Sequence, residues 1–209
     1  MTAEKVTVFI VDDEKSMRDS LGRLVRSAGY GVEAFDGAEA FLGRTPIEDI
    51  GCLVLDVSMP GTSGPELHDE LLSRGTFLPT IFLTGHGDVP TSVREMKKGA
   101  VDFLLKPVDD DALLKVIDSA VERCEATRDR GLERQRITAC LRTLTPREHE
   151  VLECVLDGCL NKQTAATLGI VEKTVKVHRG RVMEKMHVRS VAELVHRCEL
   201  AGLRPGRQG

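Results

Sequence analysis

The sequence predicts an α/β chain in two parts: a five-stranded parallel sheet with helices on both faces, then a helical linker and an all-α four-helix domain. Three observations point there. Five short apolar runs alternate with helical stretches over the first 121 residues, strand-like runs disappear after them, and the sign of the charge reverses between the halves. At 209 residues the chain suits one large domain or two small ones.

Residues 6–11 (Val-Thr-Val-Phe-Ile-Val) read as a short, largely buried strand. Ser16 to Ala28 then sets Leu21, Leu24, Val25 and Ala28 at helical spacing, with Gly29 as a stop. Apolar runs at 32–35, 52–55, 80–83 and 101–105 follow, separated by helical stretches near 38–43, 65–73, 89–98 and 110–127. Such alternation produces a parallel sheet buried on both faces, whose ligands sit at the carboxyl ends of the strands. From 112 to 142 the helical pattern continues. Leu113, Val116, Ile117, Ala120, Val121 and Cys124 are expected to face the sheet, and 122–142, with its Arg and Glu, reads as a linker interrupted by Gly131. Thr145-Pro146-Arg147-Glu148 and Ser190-Val191-Ala192-Glu193 are capping boxes. Between them fall a helix to about Leu156, a short helix at 161–168, a turn at Gly169 and a helix from about Glu172 to Met186. A Gly turn between two such helices predicts a helix-turn-helix. The expected domains are therefore 1–121, the linker 122–142, and 143–209.

Composition excludes several classes. Aromatics are 3% of the chain with no Trp, which argues against stacking on single-stranded nucleic acid. No apolar run approaches the roughly 20 residues of a membrane span. The first five residues lack the pattern of a signal peptide, so a cytoplasmic location is expected. Cys52, Cys124, Cys140, Cys154, Cys159 and Cys198 suit neither a zinc site nor a disulfide framework. Residues 1–121 carry 12 Lys and Arg against 21 Asp and Glu, a net −9; residues 122–209 carry 17 against 12, a net +5. A cation or kinase suits the first half and a polyanion the second.

The strand ends carry the chemistry. The first run ends in Asp12-Asp13, the third in Asp56, the fourth in Thr84 and the fifth in Lys106-Pro107. Clustered carboxylates need a neutralising cation, and so few oxygen ligands suit Mg²⁺, which keeps waters and accepts phosphate oxygens. A carboxylate in that setting attacks a phosphoryl group, with Lys106 and Thr84 as donors to its oxygens. A phosphohydrolase would want Asp-x-Asp at its nucleophile, and Val57-Ser58 follow Asp56 instead.

With Val-Asp-Asp at 11–13, Leu-Asp-Val-Ser-Met-Pro-Gly at 55–61, Thr-Gly at 84–85 and Phe-Leu-Leu-Lys-Pro at 103–107, residues 5–121 resemble the flavodoxin-like receiver domain of two-component systems. The resemblance implies Asp56 as phosphoacceptor and Asp12, Asp13, Asp56 and the Ser58 carbonyl as Mg²⁺ ligands. It also implies Thr84 and Lys106 as phosphoryl contacts and Phe103 as the aromatic switch. Leu-Thr-Pro-Arg-Glu-His-Glu-Val-Leu at 144–152, Asn-Lys-Gln-Thr-Ala at 161–165 and Lys-Thr-Val-Lys-Val-His-Arg at 173–179 resemble a LuxR-type effector domain. With Gly-His-Gly-Asp-Val-Pro at 85–90, the chain is similar to response regulators of the FixJ/NarL type.

Physically, Lys176 and Val177 are expected to enter the major groove of promoter DNA, with Lys173, Thr174 and Arg179 nearer phosphates, while Val175, Val182 and Met186 face the core. Three positions depart from the family pattern: Val171 stands at the usual polar cap, Gly180 within the recognition helix, and Thr164 where Ile is commoner. The implied function is no enzyme but a switch. A sensor histidine kinase phosphorylates Asp56, Thr84 and Phe103 rearrange, and a face including the fourth helix dimerises. The dimer then regulates, and in this family usually activates, transcription with RNA polymerase. Moving such an equilibrium from mostly off to mostly on takes roughly 5.5 kcal/mol.

Overall fold

Period-two strands buried on both faces need helices on both sides, and the first part of the chain is built that way. The computed structural model describes residues 6–44, 47, 50–85 and 89–203. Residues 1–5, read above against a signal peptide, and His86, Gly87 and Asp88 of the 85–90 motif lie outside them. Two units are distinguished, one ending at Arg128 and the other beginning at Asp129.

The first unit runs β1 (Thr7–Val11), α1 (Lys15–Ser27), β2 (Gly31–Phe35), α2 (Ala38–Leu42), β3 (Gly51–Asp56), α3 (Gly64–Ser73), β4 (Thr80–Thr84), α4 (Val89–Lys98), β5 (Asp102–Leu105) and the start of α5 (Asp110–Arg142). All pairings are parallel, in the flavodoxin-like order β2-β1-β3-β4-β5. Alternate side chains of each strand go to opposite faces. Val8, Ile10, Cys52, Val54, Ile81 and Leu83 meet Leu21 and Val25 of α1 and Leu113, Ile117 and Ala120 of α5. Phe9, Val11, Leu53, Leu55 and Phe82 meet Phe41 of α2 and Leu67 and Leu71 of α3. Val121 and Cys124 are buried too, so the expected sheet-facing stripe of α5 is the observed one.

Gly131 does not interrupt α5, which carries helix through it to Arg142. Its position is exposed, so its propensity penalty of about 1 kcal/mol competes with no packing defect. Beyond it Ile137 is fully buried in the second unit's core, with Cys140 and Leu141 against it. The later part of the segment read as a linker thus supplies core to the second unit.

That unit continues with α6 (Pro146–Leu156), α7 (Asn161–Leu168), α8 (Glu172–Lys185) and α9 (Val191–Leu200). The Glu148 amide donates to Thr145 Oγ1 at 3.3 Å, and the Thr145 amide donates to Glu148 Oε2 at 2.8 Å. Glu148 is buried and also pairs with Lys185 Nζ at 2.6 Å. Lys185 and the cap bonds together hold its carboxyl down to about 2. The second box is different: Ser190 Oγ accepts the Glu193 amide, but Glu193 Oε2 turns to the Arg189 amide instead of Ser190. Gly169, at φ 64°, supplies the left-handed turn between α7 and α8.

All six cysteines are free thiols. Burial, then the neighbouring Cys124, pushes the Cys52 thiol up to about 12, which keeps it an unreactive core group. Among the described residues no helix is long and apolar enough to cross a membrane.

Candidate functional sites

The strand order reverses between β1 and β3, and there the acidic residues meet. Asp12 follows β1 and Asp56 closes β3; both are buried, at 1% and 5% exposure. Lys106, just past β5, reaches both: its Nζ lies 2.7 Å from Asp12 Oδ2 and 2.6 Å from Asp56 Oδ1. Burial disfavours the ammonium, but the bonds to Asp12 and Asp56 outweigh it and raise its pKa above the ordinary lysine value. The second oxygens are also committed, Asp12 Oδ1 to the Glu14 amide at 2.8 Å and Asp56 Oδ2 to the Ser58 amide at 3.0 Å.

The backbone holds these side chains in place. The Lys106 amide donates to the Thr84 carbonyl at 2.8 Å, so the β4 and β5 ends carrying both residues are tied together. Thr84 itself is buried. Arg18 of α1 donates from Nη1 to the carbonyls of Asp12 and Asp13, at 2.7 and 2.9 Å. No sequence motif singles out this arginine, which falls on α1 like other helix-surface charges. Asp13 has an exposed side chain, and Ser58 is exposed as well.

Among the described residues no group of three His, Cys, Asp or Glu side chains stands close enough to hold a metal. The donor chemistry nevertheless fits a small hard dication. Asp12 and Asp56 are hard carboxylate oxygens within reach of one cationic centre, beside exposed Asp13 and the Ser58 backbone. Phe103 is half-buried on β5 and stacks on Phe82 at 4.7 Å with the rings 20° apart.

In the second unit, α8 sorts as the spacing predicts. Val175, Val182 and Met186 are buried. Lys173, Lys176 and Val177 are exposed, Val177 at 48%, a large apolar side chain left in solvent. Thr174 is half-buried. Arg179 is engaged within the unit: its Nη1 donates to Asn161 Oδ1 at 2.8 Å, bracing the first turn of α7 against α8. Gly180 has open space where a Cβ would stand, and Val171 caps α8 with no side-chain bond. Thr164 is fully buried, and among the described residues its hydroxyl meets no partner beyond the Cys154 thiol, a weak one.

Known proteins resemble both units of the chain. A family model described as response regulator receiver domain matches residues 8–118, and one described as bacterial regulatory proteins, luxR family, matches residues 142–198. Nodulation protein W of Bradyrhizobium diazoefficiens is 46% identical over 199 residues, covering 95% of this chain and 88% of that protein. The transcriptional regulatory protein FixJ of the same organism is 43% identical over 196 residues, covering 94% and 96%. The structure of response regulator StyR superposes with a TM-score of 0.82 at 46% identity, over 93% of this chain and 98% of that one.

Proposed function

The chain belongs to the response regulators that carry a receiver domain and a LuxR-type DNA-binding domain, and from that premise we propose that Asp56 is the phosphoacceptor controlling its DNA-binding half. It is a transcription regulator and not an enzyme. The observation that carries the Asp56 reading is the convergence of Asp12, Asp56 and Lys106 at the carboxyl edge of the sheet.

In the proposed reaction a carboxylate oxygen of Asp56 attacks the phosphorus of a phosphohistidine on a sensor kinase. The O–P bond forms, the P–N bond breaks, and the imidazole nitrogen leaves. Asp12, Asp13, Asp56 and the Ser58 carbonyl would hold Mg²⁺, which when bound neutralises charge on the phosphoryl oxygens. Lys106 exchanges a carboxylate oxygen for a phosphoryl oxygen, and Thr84 donates to another. Displacement of Thr84 frees the space into which Phe103 turns. The altered surface includes α4, where Val89, Val93 and Met96 are exposed, and forms a homodimer. That aligns two α8 helices on two-fold symmetric promoter DNA, from which RNA polymerase is recruited in the cytoplasm. In this reading 1–121 is the receiver, 122–142 the connecting helix and 143–209 the DNA-binding domain. Lys176 and Val177 face base edges and Lys173, Thr174 and Arg179 the phosphates, with Arg179 oriented by its bond to Asn161.

Sedimentation of the wild type and Asp56→Asn in Mg²⁺, with and without beryllium fluoride as phosphoryl mimic, tests the receiver half. A dimer formed only by the wild type with beryllium fluoride supports it; no change in either protein refutes phosphorylation-driven dimerisation. For the other half, Lys176→Ala is expected to weaken promoter binding by about 1–3 kcal/mol and to relax the base preference at the position it reads. Equal losses on promoter and unrelated DNA in fluorescence anisotropy titrations would place Lys176 away from the base edges.

A further inference from the structure

A second polar assembly is buried in the first unit, away from the acidic edge. Among the described residues of α4 only one is buried, and it is charged: Glu95, at 0% exposure. Its Oε2 lies 2.9 Å from Nδ1 of His68 on α3, itself buried. Its Oε1 lies 3.0 Å from both Arg94 Nε and Lys98 Nζ. Lys98 also pairs with Asp69, the neighbour of His68 on α3. Burial opposes charge on Glu95, yet the bonds from His68, Lys98 and Arg94 outweigh it and hold the carboxyl below its ordinary range. A carboxylate only accepts, so His68 Nδ1 carries the hydrogen and donates it.

Two ties therefore cross from α3 to α4, His68 to Glu95 and Asp69 to Lys98. The apolar residues that would normally anchor such a helix, Val89, Val93 and Met96, face solvent instead. The middle of α4 is joined to α3 by a buried hydrogen bond to a carboxylate. The His68 ring also meets Phe82 edge-on, with centroids 5.5 Å apart and planes at 80°. Phe82 in turn stacks on Phe103. An unbroken series of contacts, Phe103 to Phe82 to His68 to Glu95, leads from the switch ring to α4.

We propose that the His68–Glu95 pair is a latch. It holds α4 in the arrangement of the unphosphorylated protein and gives way when Phe103 turns, which rests on the switch reading given above. A buried carboxylate held by a hydrogen bond suits this task. Half-made it is costlier than absent, so α4 is either seated or released, and a shift of the ring stack is converted into a discrete step. The latch also explains why a charged residue occupies the one buried position of α4, where an apolar residue would simply fill the space.

The test combines a variant with a direct readout. In His68→Leu/Glu95→Met both partners become apolar, so no unpaired charge is left in the interior. Its monomer–dimer dissociation constant without beryllium fluoride is expected to tighten roughly tenfold relative to the wild type, the scale of one buried charged hydrogen bond. In wild-type protein labelled with ¹⁵N-histidine, the slowly exchanging His68 Nδ1–H proton is expected to shift or vanish on adding beryllium fluoride. The second readout decides the matter even if the variant does not fold. A wild type that dimerises with beryllium fluoride while this proton stays unmoved overturns the latch alone. So does a folded variant whose basal dimerisation equals or falls below that of the wild type. A wild type that ignores beryllium fluoride overturns the switch, and the latch with it.

Discussion

Lys106→Met is expected to destabilise the receiver by about 3 kcal/mol in the presence of chelator. In the native structure the Lys106 ammonium is the cation placed between Asp12 and Asp56. Both carboxylates are nearly inaccessible, so water screens their repulsion only weakly. Methionine keeps most of the volume of the lysine stem and removes the charge, leaving two carboxylates facing each other in the interior. The expected loss exceeds that of any exposed ion pair of this unit, such as Arg74–Glu70, where a pair is worth 1 kcal/mol or roughly less. Millimolar Mg²⁺ should recover a large part of the loss, since a dication at the same carboxylates supplies the missing charge. Calorimetry of both proteins in chelator and in Mg²⁺ makes the comparison. An equal loss in the two conditions would mean that no metal binds beside Asp12 and Asp56. Lys106→Arg is the control, retaining charge while changing its shape.

The site was legible in the sequence because its parts lie at strand ends. In a parallel sheet every strand of one direction delivers its last residue to the same edge, so Asp12, Asp56, Thr84 and Lys106 had to be neighbours once five strands were recognised. What periodicity cannot give is the partner of a side chain on another element. Arg18 sits on a helix face like any surface arginine, and only the bend after β1 turns the carbonyls of Asp12 and Asp13 toward it. His68 and Glu95 are 27 residues apart and each fits its own helix unremarkably; their meeting depends on how α3 and α4 pack. Arg179 was expected at DNA phosphates from its spacing on α8, and the spacing could not reveal Asn161 waiting at the start of α7. Gly131 illustrates the opposite limit. Its local penalty is real, yet about 1 kcal/mol spread over a 33-residue helix does not end it. Propensity orders local choices, and the buried Ile137 downstream supplies a tertiary reason to continue.

Glycine to alanine at two positions should have opposite signs. At Gly51, the first residue of β3, a Cβ would stand 1.7 Å from the Thr7 carbonyl oxygen of the paired strand. The obstacle is backbone, and it cannot rotate away as a side chain would. Thr7 is itself fixed, its amide donating to the Ile50 carbonyl at 2.9 Å, so β1 and β3 must separate or slip. These are the two strands that carry Asp12 and Asp56, and overpacking of this severity is expected to cost about 3 kcal/mol or more. At Gly131 of α5 nothing lies within 4 Å of the added methyl, and the position is exposed helix. There the same change removes backbone freedom from the unfolded chain and should stabilise by up to about 1 kcal/mol. Thermal unfolding followed by calorimetry should show Gly51→Ala lowering the transition of the receiver while that of the DNA-binding unit is retained. Its response to beryllium fluoride should fall too, because the distance between Asp12 and Asp56 is set by the β1–β3 register. A Gly51→Ala protein as stable as the wild type would mean that the two strands tolerate a looser spacing than the structure shows, and that the acidic edge is held by Lys106 more than by the sheet.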